Sequence, residues 1–248
     1  MSPLLQLSWA FALRLLRDRL ILFWTLLFPA GLFMIFVYAF VGREQSGAFI
    51  SSGIVDQLAN VAVMSVVANG LFSAGAFIAQ DRAAGVIRRF YVSGFSSYQV
   101  LTATLLRQGV LTLVSSAVLV AMAVVVNRGR LPISLTGFCL ISFLGASAYG
   151  GIGLVVAAIA RSPEAAGTLA NLIYFPSLFL SGAMIPMESL PPVITDVRWI
   201  LPGFYIRELF YWLNHYHDGT VSPAAGGALL AGFAVIGYAA AAWLFRWE

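Results

Sequence analysis

Residues 20–41 read LILFWTLLFPAGLFMIFVYAFV, a run of 22 residues without a charged side chain. As a helix that rises about 1.5 Å per residue, this run reaches about 33 Å, enough to cross a hydrocarbon core of about 30 Å. It is longer than the apolar region of a cleavable signal peptide, which has about 7–15 residues. The run therefore predicts a first membrane span.

Five further apolar runs repeat this pattern along the chain. Together they predict spans over about 20–41, 57–80, 104–127, 133–160, 165–187 and 221–245. Open strands cannot cross lipid because their backbone N–H and C=O groups would lack partners, so the spans are expected to be helices. The sequence thus predicts an all-α membrane protein with six transmembrane helices in a single domain over residues 1–248.

The composition argues against several other classes of protein. The chain is 60% hydrophobic and 10% charged, whereas ordinary soluble domains have about 25% charged residues. Its net charge of +4 is small and scattered, which argues against a nucleic-acid partner. The single Cys139 leaves no disulfide framework and no thiolate metal cluster.

All 14 basic residues are arginines. The phosphate-binding loop of many ATPases contains a lysine that reaches the phosphates of the nucleotide. Because these residues include no lysine, they contain no such loop. If this membrane protein uses ATP, a separate chain has to supply the ATPase.

The placement of the arginines predicts the orientation in the membrane. With the N-terminus inside, nine arginines fall on inner segments and five on outer segments. Basic residues accumulate on cytoplasmic loops, and an even number of spans returns the chain to its starting side. Both termini are therefore predicted to be cytoplasmic, although Arg128 and Arg130 run against this assignment.

Two segments outside the spans have patterns of their own. Before the first span, apolar residues recur at helical spacing and predict an N-terminal amphipathic interfacial helix; a plain cytoplasmic extension of the first span is the alternative. These residues are Leu4, Leu7, Phe11 and Leu15.

Prolines divide the outer segment 188–218 into short pieces rich in aromatic residues. Since aromatic rings settle at the membrane–water boundary, we expect two short re-entrant outer helices there, between the fifth and sixth spans.

The inner segment 81–96 reads DRAAGVIRRFYVSGFS. It predicts a short helix over about 81–92 that ends at Gly94, because glycine readily adopts the positive φ of a helix end. Judged by charge alone, its arginines would bind either anionic lipid headgroups or an acidic groove on a partner protein. They are Arg82, Arg88 and Arg89.

Polar side chains recur at helical spacing on the second and fifth predicted spans. Hydrogen bonding between helices is one interpretation, and the lining of a path for an amphipathic substrate is the other. The residues concerned are Ser65, Asn69, Ser73, Asn171, Tyr174, Ser177 and Ser181.

Small residues also let membrane helices approach closely. The glycines that predict such packing are Gly145, Gly150, Gly151, Gly153, Gly226, Gly227, Gly232 and Gly237.

Few residues indicate chemistry within the chain itself. His215 and His217 lie near Asp218, but a metal site usually needs three or four ligands, and no further His or Cys completes one. Asp56 and Arg107 lie near predicted span ends, where they can reach the interface. Catalytic and metal sites are therefore not predicted. The scarcity of ionisable residues in the spans also argues against an ion-coupled carrier.

With these pieces in this order, the chain resembles the membrane subunit of type-2 ABC exporters. Residues 81–89, DRAAGVIRR, look like the inner-loop pattern of that family, acidic-Arg-x-x-Gly-Thr-hydrophobic-x-Arg. Residues 179–192, FLSGAMIPMESLPP, are similar to its Ser-Gly-x-x-x-Pro followed by Leu-Pro. Two departures bear on how the inner helix would contact a partner: Val86 replaces the usual Thr, and Gly94 stands where Pro is common.

The resemblance implies an ATP-driven exporter in the bacterial inner (cytoplasmic) membrane. This chain would be a non-catalytic permease subunit that binds no cofactor, paired with a second copy or a related permease. Separate ATPase subunits would bind ATP and Mg. The substrate would be amphipathic, such as a drug, an antibiotic, a lipid or a glycan precursor, and the second and fifth spans would line its path.

The resemblance also implies that the inner segment 81–96 is a coupling segment that sits in a groove of the ATPase. The residues expected to couple there are Asp81, Arg82, Gly85, Arg88 and Arg89. Two alternatives stay open. A haem-export or cytochrome-maturation permease would share the topology but should show a functional aromatic or histidine site. A membrane-embedded lipid-modifying enzyme would need a polar or metal-binding cluster at the bilayer surface, which the sequence does not show.

Overall fold

The structure, a computed structural model, describes residues 22–41, 47–128, 133–185, 196–214 and 220–245. Within these ranges the regular structure is helical and contains no strand, which confirms the all-α prediction for this part of the chain. Several predictions fall outside the described residues. They concern the N-terminal amphipathic helix, the histidine pair, and the second half of the motif over 179–192 with much of the outer segment.

The chain folds into eight helices within the described ranges, which we number α1 to α8. Helix α1 is continuous but changes its pitch: π-helical turns Phe23–Leu27 and Val37–Val41 flank the α-helical stretch Phe28–Phe36. The others are α2 (Gly47–Ala83), α3 (Val86–Val92), α4 (Ser97–Val126), α5 (Leu135–Ile159), α6 (Pro163–Ser181), α7 (Pro202–Leu213) and α8 (Pro223–Leu244). A 3₁₀ turn, Arg198–Ile200, precedes α7.

Five of the described helices are long and apolar enough to cross a membrane. The candidate spans are Phe23–Phe40, Gly53–Ala83, Ser97–Val126, Leu135–Ile159 and Pro223–Leu244. They coincide with five of the six predicted spans. Helix α6, at the fifth predicted span, has 19 residues and includes Glu164 and Pro176, and it is not one of these five candidates. The count of six spans therefore stays a prediction.

Serine side chains explain where several helices begin. The hydroxyl of Ser96 accepts a hydrogen bond from the backbone N–H of Gln99, and the Gln99 side chain bonds back to the Ser96 N–H. Ser134, Ser162 and Ser222 accept equivalent bonds at the starts of α5, α6 and α8. Such caps satisfy backbone N–H groups that have no partner inside the helix.

Helix ends depart from the predicted boundaries at defined places. Helix α6 ends at Ser181 and not at 187, since Gly182 takes a left-handed conformation with φ 75°. Helix α4 begins at Ser97, seven residues before the predicted start of its span at 104, because the capping pair at Ser96 starts the helix there. The inner segment is also divided differently, with Asp81 at the end of α2 and not in a separate short helix.

Helices α2 and α5 form the centre of the fold. In the most apolar stretch of α2, 78% of the residues are buried, against 22% in α1 and 17% in α8. Helices α1 and α8 are therefore peripheral. Helix α5 packs along both α2 and α8. An added Cβ at Gly75 would lie 2.7 Å from the carbonyl oxygen of Gly153, and one at Gly237 would lie 2.9 Å from the Cα of Gly151. These helices therefore touch backbone to backbone.

The prediction of close packing at glycines is confirmed at some positions and wrong at others. Gly151, Gly153 and Gly237 lie at the contacts of α5 with α2 and α8. At Gly227 and Gly232 no atom of the described residues lies within 4 Å of an added Cβ. The repeat on α8 covers more than one face of the helix: Gly237 lies against α5, whereas a Cβ added at Gly226 would lie 3.2 Å from the Leu209 side chain of α7.

Candidate functional site

The connection between α2 and α4 is a short helix held between two glycine turns. Gly85 and Gly94 have φ of 70° and 82°, a region that favours glycine because other side chains are strained there. Between them α3 has seven residues. The side chain of Ile87 is 1% exposed and packs with Ile78 and other residues at the ends of α2 and α4 that α3 joins. One face of α3 is therefore anchored to two candidate spans.

The predicted coupling residues have different surroundings. The side chains of Arg88 and Arg89 are exposed on α3. Asp81 is fully buried at the end of α2, and half-buried Arg82 donates a hydrogen bond to the carbonyl oxygen of Ala160. Of the four charged residues in the predicted set, Arg88 and Arg89 thus present their charge most openly to a partner.

A cavity of about 580 Å³ lies between α1, α2, α4 and α6. Its wall combines aromatic rings with polar side chains, a composition typical of sites for amphipathic small molecules. The aromatic residues are Trp24, Phe28, Phe72, Phe77 and Tyr174, and the polar ones are Thr25, Asn69, Ser73, Gln80 and Arg107. We call this space the central cavity.

Four of the seven predicted path residues line the central cavity or a smaller cavity beside it. Asn69, Ser73 and Tyr174 line the central cavity, and Ser65 lines a smaller cavity of about 40 Å³ together with Asn69 and Tyr174. Ser65 also shares a hydrogen bond with Ser115 of α4, with 3.2 Å between the hydroxyl oxygens. Ser65 therefore both pairs with another helix and borders a cavity, and a role in a substrate path stays a prediction.

The other three predicted path residues, all on α6, are not among the described residues of the cavity wall. Asn171 is exposed and donates to the carbonyl oxygen of Gly167 in its own helix, over 3.0 Å. Ser177 and Ser181 are fully buried and donate to the carbonyl oxygens of Ile173 and Leu178. The hydroxyl groups of both serines therefore bond within α6, in the packed interior of the described structure.

The described part of the outer segment is tied to the helix bundle. Phe204 and Phe210 of α7 are 1% exposed, and Phe210 packs on Phe138 of α5 with ring centroids 4.7 Å apart. One carboxylate oxygen of Glu208 accepts hydrogen bonds from the Thr220 backbone N–H, over 2.8 Å, and from its hydroxyl, over 3.2 Å. Helix α7 is thereby held next to the start of α8. Whether it dips into the membrane stays a prediction.

Comparison with known proteins places the chain in a family. The family model described as ABC-2 type transporter matches residues 3–213 of this 248-residue chain. The chain belongs to the ABC-2 type transporter membrane family. This confirms the resemblance inferred from the inner loop and the order of the spans.

Two bacterial relatives of this ABC-2 protein are named as transport permeases. Inner membrane transport permease YhhJ of Escherichia coli is 25% identical over 162 residues, which cover 63% of this chain and 41% of YhhJ. Putative transport permease YvfS of Bacillus subtilis is 21% identical over 236 residues, which cover 92% of this chain and 88% of YvfS. The matched part thus spans about two fifths of YhhJ but most of YvfS.

Sequence reasoning missed the position of Arg107 in this ABC-2 permease. The residue was expected near a span end, but α4 begins at Ser97, so Arg107 lies well inside the helix. Its side chain is 4% exposed, and its guanidinium stacks 3.6 Å from the centroid of the Phe77 ring. It also donates to the backbone carbonyl and hydroxyl oxygens of Ser73. The cap at Ser96 was the available signal, because it moves the start of the helix.

Metal-binding clusters are absent from the described part of this ABC-2 permease. No three or more His, Cys, Asp or Glu side chains come together there, while His215 and His217 lie outside the described residues. The thiol of Cys139 on α5 is free and partly buried.

Proposed function

We propose that this ABC-2 permease is the membrane subunit of an exporter that a separate ATPase subunit drives, and that it moves an amphipathic substrate outward. The observation that carries the proposal is α3: a seven-residue helix anchored through Ile87, with Arg88 and Arg89 exposed. An exposed basic helix that joins two long spans suits an acidic groove on a partner, because complementary charges favour and orient docking.

Motion of α3 has a short route to the central cavity. Helix α3 follows α2 through the turn at Gly85, and α2 contributes Asn69, Phe72 and Ser73 to the cavity wall. A rigid shift of the inner end of α2 would therefore change the width of the cavity. ATP binding by the partner would supply the differential affinity that moves such an equilibrium between two states.

The central cavity favours an amphipathic substrate over an ion. Aromatic rings from three helices form much of its wall, and they match apolar ring systems or acyl chains. The polar residues Asn69, Ser73 and Gln80 offer hydrogen bonds to a polar end of the substrate. A drug, an antibiotic, a lipid or a glycan precursor has this character.

The assembly that we propose contains two permeases, either two copies or this chain with a related permease, and two ATPase subunits that bind ATP and Mg. It would lie in the bacterial inner membrane with both termini of this chain cytoplasmic. That orientation puts α3 in the cytoplasm, where ATP is available. Under this proposal the chain is a single permease domain and catalyses no reaction itself.

A tagged pull-down from native membranes in mild detergent, with mass spectrometry of the associated proteins, tests the proposal. We expect a stoichiometric partner with a phosphate-binding loop and vanadate-sensitive ATPase activity. Arg88→Glu combined with Arg89→Glu should leave the chain inserted but remove the ATPase from the complex. Arg128→Glu, a charge reversal at an exposed site at the far end of α4, is the control and should retain it. Purification of the chain without an ATPase, even after crosslinking, would contradict the proposal.

A further inference from the structure

A second cavity, of about 590 Å³, lies near α3 at the inner ends of several helices. We call it the inner basic cavity. Arg82 and Ala83 at the end of α2, the connection from α5 to α6 with Arg161 and Ser162, and Leu244 of α8 contribute to its wall. It is separate from the central cavity, since the two have no lining residue in common.

Two arginines from different elements give this cavity its charge. Arg161 is exposed, and Arg82 is half-buried with its guanidinium held at the carbonyl oxygen of Ala160. A guanidinium has a planar fork of N–H donors that matches the oxygens of a phosphate group. Glu164, three residues after Arg161, hydrogen-bonds to the Ser162 hydroxyl and to its own backbone N–H, so its carboxylate helps to cap α6. Asp81, which precedes Arg82, is fully buried.

The position of the cavity along the helices indicates where a ligand would come from. Three candidate spans end at Ala83, Ile159 and Leu244, and all three residues line the cavity. The ends of membrane spans lie at the depth of the lipid headgroups. Ile159 and Leu244 add apolar wall beside the two guanidinium groups, as needed for a molecule with a phosphate and an acyl chain.

We propose that the inner basic cavity is a binding site for an anionic phospholipid, with the headgroup phosphate between Arg82 and Arg161. Basic pockets between membrane helices bind such headgroups. The assignment divides the inner arginines by role: Arg82 and Arg161 bind lipid, whereas the exposed Arg88 and Arg89 stay available to a protein partner. It concerns the leaflet on the side of α3, whichever way the protein is inserted.

Native mass spectrometry of the full chain in mild detergent tests this site. Phosphatidylglycerol and phosphatidylcholine with identical acyl chains are titrated in parallel, and bound lipid is counted. We expect the wild type to prefer phosphatidylglycerol, and Arg161→Gln to weaken that binding about fivefold without affecting phosphatidylcholine. Arg128→Gln removes the same charge at an exposed residue away from the cavity and should leave the preference unchanged.

A second variant tests the space and keeps the charge. Ala83 is exposed at the cavity wall, so Ala83→Phe should fill part of the cavity and weaken phosphatidylglycerol binding. Equal binding of the two lipids by the wild type, or unchanged selectivity in both Arg161→Gln and Ala83→Phe, would overturn the proposal.

Competition with inorganic phosphate separates a lipid site from a site for free phosphate. Displacement of phosphatidylglycerol only at a large molar excess of phosphate supports the lipid, because the acyl chain adds binding. If phosphate displaces phosphatidylglycerol at a concentration equal to or below that of the lipid, the proposal of a lipid site is overturned. If Arg161→Gln instead lowers the recovery of the ATPase in the pull-down and leaves lipid selectivity intact, Arg161 contacts the protein partner, and the lipid site is wrong.

Discussion

The hydroxyl of Tyr149 accepts a hydrogen bond from the backbone N–H of Gly203 over 2.9 Å. Tyr149 is fully buried in the middle of α5, and Gly203 lies in the first turn of α7. An added Cβ at Gly203 would lie 2.9 Å from the same hydroxyl oxygen, so the backbone of α7 can approach only because this residue is glycine. This hydrogen bond joins the first turn of α7 to the middle of α5.

Removal of that hydroxyl should destabilise the fold. Tyr149→Phe leaves a buried backbone N–H without its partner, which costs about 1–3 kcal/mol of unfolding free energy. Thermal unfolding of the purified protein in detergent measures the change. Tyr38→Phe, at a side chain that is 86% exposed, is the control and should have little effect. Equal stability of the two variants would show that water or another group replaces the bond.

The contact of α8 with α5 predicts opposite effects for the same substitution at two glycines. At Gly237 an added Cβ would lie 2.8 Å from the carbonyl carbon of Gly151, so Gly237→Ala should cost about 1–3 kcal/mol through overpacking. At Gly232 the part of the chain that the structure describes places no atom within 4 Å of an added Cβ. Gly232→Ala should be neutral or stabilise by up to about 1 kcal/mol, since alanine favours the helix. Thermal unfolding of both variants measures the two effects. A similar loss of stability in both variants would contradict the close contact at Gly237.

Arg107 and Phe77 should be coupled energetically, because the guanidinium stacks on the ring. A double-mutant cycle with Arg107→Gln and Phe77→Leu should give an interaction energy of about 0.5–2 kcal/mol. Unfolding free energies of the wild type, both single variants and the double variant provide it. Additive effects would mean that the stacking contributes no net stability.

Cysteine labelling distinguishes residues of the central cavity from residues of the packed interior. In a Cys139→Ala background, Ser73→Cys should react with a small membrane-permeant maleimide, since Ser73 lines the cavity and is half-buried. Ser177→Cys should react far more slowly because Ser177 is fully buried. Equal rates in folded protein would show that the cavity is closed to reagent or that α6 opens on the labelling time scale.

Residues 20–41 and four other apolar runs were sufficient to predict five helices that are long and apolar enough to cross a membrane, because each hydrophobic residue in a span lowers the free energy of insertion whatever its neighbours are. Gly94 likewise predicted the end of the inner helix from local backbone preference. Gly85, by contrast, was part of the predicted helix, although its φ of 70° divides the segment. Local sequence alone did not show that both glycines would turn the chain.

The sequence by itself determined the helical class, five apolar helices and the basic segment at α3, since these follow from the composition and periodicity of neighbouring residues. Only the tertiary structure decided the roles of individual polar residues. Ser73 and Ser177 lie on similar polar faces, yet one lines the central cavity and the other is buried in packing. The spacing of residues defines a face of a helix, but the surroundings of that face depend on how distant helices pack against it.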